Sequence, residues 1–147
     1  MSARNGRSAV MTIGALSRRT GVPVKALREY EDAGLIYTVG RSSGNYRLFD
    51  DTALWCVGTI GTLRALGLTL AEIRELTAVY LGRPDEPIGP HLAELLRAAR
   101  TRTDAQITEL ERRRQRIDQF ETRHAAQLAG SAVDFRADDP HFQRVHT

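Results

Sequence analysis

Residues 91–129 contain neither glycine nor proline, and this run constrains the fold more than any other feature of the sequence. It predicts one long helix of about ten turns. Apolar residues recur along it at helical spacing and form a narrow seam, made of Leu92, Leu96, Ala99, Ile107, Leu110, Ile117, Phe120 and Leu128. One helix cannot bury such a seam, so the pattern predicts a partner helix, most simply its own copy. Thr103, Gln106 and Arg113 interrupt the seam.

The segment before this helix, GRPDEPIGP at residues 82–90, holds three prolines and two glycines and indicates a linker. It separates a predicted domain at residues 12–81 from the helix. We expect residues 1–11 to form a flexible basic leader and residues 130–147 a loosely ordered polar tail.

The composition limits the possible classes of function. The net charge is +3, which permits a nucleic-acid partner without requiring one. Cys56 is the only cysteine, so the chain cannot form an internal disulfide or a cysteine-pair metal site, and this fits a reducing cytosol. No apolar run approaches the length of a membrane span, and the first ten residues lack the apolar stretch of a signal peptide.

Two short helices are predicted at the start of the domain. Thr12 suits the cap of the first helix, and Gly21 suits its end. Pro23 is tolerated where the second helix begins, and Gly34 stops it after about Ala33. Two helices joined by a tight turn that contains glycine form a helix-turn-helix.

A small hairpin, or wing, is predicted next. Strand-favouring residues at 35–39 precede the turn cluster GRSSGN, and residues 46–49 form the returning strand.

Two further helices complete the domain. Asp50 or Asp51 caps a third helix that runs to about Leu66 and stops at Gly67. Thr69 and Glu72 form a capping box that opens a fourth.

Three quoted stretches resemble the MerR family of bacterial transcription regulators: TIGALSRRTGVPVKALREYEDAGLI, RSSGNYRLF and LRALGLTLAEIREL. The resemblance covers about residues 12–77. It implies a mainly α fold, with a winged helix-turn-helix followed by a long helix that forms an antiparallel coiled-coil dimer. It also implies a regulator of promoter DNA that bends and untwists the spacer for RNA polymerase, under control of a small effector. The implied location is the cytoplasm, in association with the nucleoid.

The resemblance assigns DNA contacts to particular residues. Arg28 and Tyr30 match the arginine and the second tyrosine of the family's Arg-Tyr-Tyr-Glu stretch. Arg41, Tyr46 and Arg47 match wing positions that hold the sugar-phosphate backbone, and Arg64 matches a basic position at the end of the third helix. Lys25 lies early in the second helix, where recognition helices commonly meet base edges.

Glu29 departs from the family pattern, which usually has a tyrosine at this position. A carboxylate that faces phosphate would weaken binding by roughly 1 kcal/mol or more. It could instead pair with a neighbouring arginine, or accept a hydrogen bond from a cytosine amino group. The sequence leaves these possibilities open.

The sequence predicts no enzyme, cofactor or metal site, because it contains no nucleophile–base pair, phosphate loop or metal-ligand cluster. Classical family members bind metals through cysteines at the ends of the long helix, and this region has none. We interpret Cys56 as a buried, inert thiol and the four histidines as surface residues. Two other functions stay open: an architectural DNA-bending protein of the excision type, without an effector, and a coiled-coil protein-interaction module.

Overall fold

The structure is a computed structural model that describes residues 9–146, without the side chains of Gln143, Val145 and His146. Most of the expected leader therefore lies outside the described residues. The chain forms two compact units, Met1–Thr101 and Arg102–Thr147, called the first and second unit below.

The helix-turn-helix consists of α1, Ile13–Thr20, and α2, Val24–Asp32. The Thr12 hydroxyl accepts a hydrogen bond from the Ala15 N–H at 3.3 Å, which confirms the predicted cap. Gly21 ends α1 with a φ of 75°, a left-handed conformation that glycine adopts without steric cost. Pro23 caps α2 without a side-chain hydrogen bond, as its missing hydroxyl requires.

The wing belongs to a three-stranded antiparallel sheet with the order β1-β3-β2. Its strands are β1, Met11–Thr12; β2, Gly40–Arg41; and β3, Arg47–Phe49. The predicted hairpin is confirmed by the pairs Gly40 with Leu48 and Arg41 with Arg47. Strand β1 was not predicted: it pairs with β3, and its buried Met11 falls within the segment expected to be a flexible leader.

The prediction of a strand over residues 35–39 is wrong, because none of these residues lies in a strand. Leu35 and Ile36 lie in bends and are buried in the core, while β2 begins only at Gly40. Apolar side chains at these positions serve burial, which raises apparent strand propensity without requiring an extended ladder.

Helices α3, Asp51–Ala65, and α4, Leu70–Gly82, follow the wing. Asp50 caps α3 by accepting from the Thr52 N–H at 3.0 Å, and Thr69 and Glu72 form the predicted capping box. The elements of the first unit enclose one apolar core, made of Met11, Leu16, Leu27, Tyr30, Leu35, Ile36, Phe49, Ala53, Val57, Ile60, Leu68, Ile73 and Ala99.

The long helix α5, Gly89–Arg123, contains residues of both units and begins two residues before the predicted start. It ends before the predicted Ala129, because His124 leaves the helical conformation (φ −114°, ψ 23°) and a short helix α6, Ala125–Leu128, follows. The expected loose tail contains a 3₁₀ helix, Phe135–Asp138, and α7, Pro140–His146. Within the described residues, no helix combines the length and the apolar character needed to span a bilayer.

Candidate nucleic-acid interface

The turn between α1 and α2 is held by a network of short-range hydrogen bonds. The Gly21 N–H donates to the Ser17 carbonyl at 2.8 Å, and the Ser17 hydroxyl donates to the Val22 carbonyl at 2.6 Å. The Val22 N–H donates to the Thr20 hydroxyl at 3.2 Å. Because these bonds satisfy the turn's polar groups locally, α2 leaves the turn in a defined direction.

Helix α2 has one face in the core and one in solvent. Leu27 is fully buried on the core face. Lys25, Arg28 and Glu29 are exposed on the opposite side, as expected for two of the residues assigned to DNA contact. A cationic side chain on an exposed helix face is free to reach a phosphate or a base edge.

Tyr30 lies on the core face of α2 rather than on the exposed face. Its side chain is only 9% exposed and belongs to the same apolar core as Leu27, three residues earlier. Tyr30 was predicted to contact DNA, but its ring packs in the apolar core of the first unit. The i, i+3 spacing to Leu27 was a signal for this burial.

The wing presents its polar side chains at the tip. The Ser42 N–H donates to the Tyr46 carbonyl at 2.8 Å, and Asn45 takes a left-handed φ of 65° to close the turn. Tyr46 is 68% exposed. The Arg41 guanidinium is exposed and donates to the Asn45 carbonyl at 3.1 Å, so it crosses the turn.

Arg47 connects the wing to α2. Its guanidinium lies 2.9 Å from Oε1 of Glu31, and the Arg47 side chain is 52% exposed while that of Glu31 is only 17% exposed. The pair orients the guanidinium, and the exposed part of Arg47 stays available to a second anion. The sequence did not reveal this partner for Arg47.

Further exposed arginines contribute positive charge to the first unit, and three of them lie at the ends of α1 and α3. Arg64 is exposed and donates to the Leu68 carbonyl at 3.2 Å, beyond the end of α3. Arg18 and Arg19 are exposed in the last turn of α1, directly before the turn into α2. Arg18 and Arg19 were not predicted to contact DNA, although two adjacent arginines at the end of the first helix of a helix-turn-helix indicate such a contact.

The reactive side chains lie in other surroundings. Cys56 is only partly buried, and not buried as predicted. This partial burial, and next the Asp50 carboxylate, raises the pKa of its thiol. A cleft of about 150 Å³ lies beside Cys56 and is lined mainly by Ile36, Tyr37, Val39 and Ala53. Within residues 9–146, no group of three or more His, Cys, Asp or Glu residues is arranged to hold a metal ion.

Each histidine whose side chain the structure describes has a polar partner, and Nδ1 of His141 lies 3.8 Å from Oδ1 of Asp139. His91 contacts the Glu86 carboxylate, and this hydrogen bond is the main reason why the pKa of Glu86 is lowered. His124 Nδ1 lies 2.7 Å from Oε1 of Gln127, and its ring contacts those of Phe120 and Phe135 in the second unit.

Two family profiles match most of the folded chain. One, described as MerR HTH family regulatory protein, matches residues 11–79, and the other, described as MerR, DNA binding, matches residues 57–120. The chain is 31% identical to the HTH-type transcriptional regulator HmrR of Rhizobium leguminosarum bv. viciae over 108 residues, which are 74% of this chain and 81% of that protein.

Solved structures give the same result for the fold. PbrR691 from Ralstonia metallidurans CH34, in complex with lead(II), has a TM-score of 0.62 at 30% identity over 76% of this chain and 85% of that chain. HiNmlR, a MerR family regulator lacking the sensor domain and bound to promoter DNA, has a TM-score of 0.55 at 22% identity over 83% of this chain and 96% of its own. The chain spans only part of the first curated relatives, since the matched stretch covers 27% to 50% of their length.

Proposed function

This chain belongs to the MerR family of DNA-binding transcription regulators, and we propose that it binds promoter DNA as a homodimer and distorts the spacer to repress or activate transcription. The observation that carries the proposal is the ion pair between Arg47 of the wing and Glu31 of α2. The ion pair links the wing to α2, the proposed recognition helix, so that both basic elements contact DNA together.

The proposed interface divides its work between α2 and the wing. Lys25 and Arg28 on α2 enter the major groove and its edge. Arg41, Tyr46 and Arg47 on the wing hold the sugar-phosphate backbone, because planar guanidinium groups and a tyrosine hydroxyl suit phosphate oxygens. Arg64 adds a backbone contact. Tyr30 is left out of this interface, because its ring is buried.

The second unit supports a homodimer. Ile107, Leu110, Ile117 and Phe120 of α5 are each about half exposed, and they follow the seam that the sequence predicts. Apolar side chains at this spacing are stabilised by a facing helix with the same pattern. An antiparallel copy of α5 supplies that helix and carries two DNA readers into neighbouring half-sites.

The same proposal includes a small effector and RNA polymerase. The regulator has two conformations, and in one of them it underwinds the promoter spacer. Its contacts with the DNA backbone offset the energy needed to deform the DNA. We do not propose lead(II), the metal in the PbrR691 structure, as a thiolate-bound effector of this chain. Cys56 is the only cysteine and lies in α3, so the chain's donor set does not fit a soft-metal site at the ends of α5.

The test begins with purified protein and genomic DNA of the source organism. Fragments that bind are sequenced and footprinted, and in vitro transcription with RNA polymerase follows, with and without candidate ligands. We expect protection centred on long promoter spacers and a change in transcript yield. Binding away from promoters, without effect on transcription, would replace the proposal with an architectural DNA-bending protein. A single-chain mass without DNA binding would instead leave a protein-interaction module.

A further inference from the structure

Glu29 and Asp32 are the exposed acidic side chains of α2, and Glu29 directly follows Arg28, one turn after Lys25. Leu27 and Tyr30 fix the buried side of α2, and Lys25 and Glu29, four residues apart, lie one turn from each other on the opposite, exposed side. The position of Glu29 therefore follows from the packing of the helix. Any DNA that Lys25 approaches also meets the Glu29 carboxylate.

The structure narrows the three possibilities that the sequence left for Glu29. None of the ion pairs among the described residues includes Glu29, so it is not paired with a neighbouring arginine. The wing arginine that pairs with an acid of α2 is Arg47, and its partner is Glu31. What remains is plain repulsion of phosphate, or acceptance of a hydrogen bond from a base.

The chemistry of the major groove selects the base. A carboxylate only accepts hydrogen bonds, so it needs an amino donor. Cytosine offers its N4 amino group, whereas the N6 amino group of adenine lies beside the N7 acceptor, which repels a carboxylate. Guanine and thymine present only acceptors or a methyl group at this edge. Cytosine is therefore the base that a carboxylate at this position fits.

We infer that Glu29 is a specificity-determining residue that accepts a hydrogen bond from the N4 amino group of one cytosine in each half-site. This inference rests on the proposed function, because it requires α2 to enter the major groove. It gives the operator a defined feature, a C·G pair at the same place in both half-sites. It also explains why an acidic side chain is tolerated among cations at a DNA-binding face.

The test uses the full chain and a pool of double-stranded DNA with a randomised central region. Operators are selected separately with the wild-type protein, Glu29→Gln, Asp32→Asn and Asp85→Asn. Asp32 is the other exposed acid of α2, and Asp85 is an exposed acid of the linker, so they match the charge change at different places. Dissociation constants are then measured for operators with each single base pair replaced, and circular dichroism checks the fold of each variant.

We expect the wild-type protein to lose about tenfold in affinity when one particular C·G pair is replaced. Glu29→Gln should lose this preference and favour A·T at the same position, because a glutamine amide pairs with adenine N6 and N7. Asp32→Asn and Asp85→Asn should keep the wild-type preference.

Two results would overturn the inference while leaving the proposed function intact. One is a Glu29→Gln protein that binds every sequence more tightly by the same factor, which means that Glu29 only repels phosphate. The other is a change of base preference in Asp32→Asn and not in Glu29→Gln. If the wild-type protein selects no sequence at all, the proposed function itself fails.

Discussion

The two units of the chain handle their apolar residues in opposite ways. In the first unit, helices, sheet and the bends after α2 close around a core in which Leu16, Leu27 and Phe49 are fully buried. In the second unit, no described residue is buried, and the large apolar side chains of α5 remain about half exposed. The first unit thus completes its own core, while the second presents a seam suited to a partner.

This difference matches the two proposed roles of the chain, which are DNA binding in the first unit and dimerisation in the second. A closed core holds the exposed cations of α2 and the wing in fixed positions, which DNA reading requires. In the proposed dimer, a second helix covers the apolar seam of α5, and the removal of this surface from water favours association. Substitutions in one unit should therefore leave the role of the other unit measurable.

The largest effect is expected from Phe49→Ala in the first unit. This change deletes a fully buried ring, and we expect it to lower the free energy of unfolding by about 3–5 kcal/mol. Urea denaturation followed by circular dichroism measures the loss. Tyr46→Ala is the matched control, because that ring is exposed and its removal should cost less than about 1 kcal/mol. Equal losses in the two variants would contradict a closed core around Phe49.

The next effect is expected from Leu110→Asp in the second unit. A charge in the seam of α5 should raise the dissociation constant of the dimer about a hundredfold, because the carboxylate loses water on association. Sedimentation equilibrium measures the constant. Thr108→Asp places the same charge on the far side of α5 and should leave it nearly unchanged. Dimers of undiminished strength in Leu110→Asp would show that the seam is not the interface.

A smaller effect is expected from Arg47→Ala on the wing. Loss of a phosphate contact should weaken operator binding about tenfold and reduce its salt dependence, because fewer counterions are released. Titrations at several salt concentrations measure both quantities, and the dimer should stay intact. Arg47→Lys keeps the charge and should retain most of the salt dependence. A variant with weaker binding but an unchanged salt slope would mean that Arg47 acts only through its ion pair with Glu31.

The smallest effect concerns the Cys56 thiol. Because burial raises its pKa, the thiol stays protonated to higher pH in the folded protein than in the unfolded chain. Its contribution to stability is therefore present below the ordinary pKa of cysteine and is lost as pH rises toward the raised value. We expect iodoacetamide at pH 8 to alkylate the folded protein more slowly than the protein in urea. Equal rates would contradict the partial burial of this side chain.

The sequence predicted the features that depend on neighbouring residues. The caps at Thr12, Asp50 and Thr69 and the stops at Gly21 and Gly67 set helix boundaries, because their hydrogen bonds and left-handed conformations involve only a few residues. The exposed placement of Lys25, Arg28, Arg41, Tyr46, Arg47 and Arg64 also follows from the pattern.

The features that the sequence missed depend on distant parts of the chain. Strand β1 exists because Met11 pairs with Phe49, far along the chain. The rotation of α2 about its axis, and not the identity of the residue, places Tyr30 in the core. Likewise, α5 ends at Arg123 beside a contact of His124 with Phe135, which no local helix signal reveals.

Sedimentation velocity of the protein mixed with its selected operator tests the central claim most directly. Each first unit carries one proposed DNA-binding surface, and each second unit carries one proposed dimer interface. We therefore expect a complex of two chains on one DNA duplex. Leu110→Asp should bind the same operator only weakly, while its first unit stays folded. A complex of one chain per duplex, with full affinity in Leu110→Asp, would contradict the account.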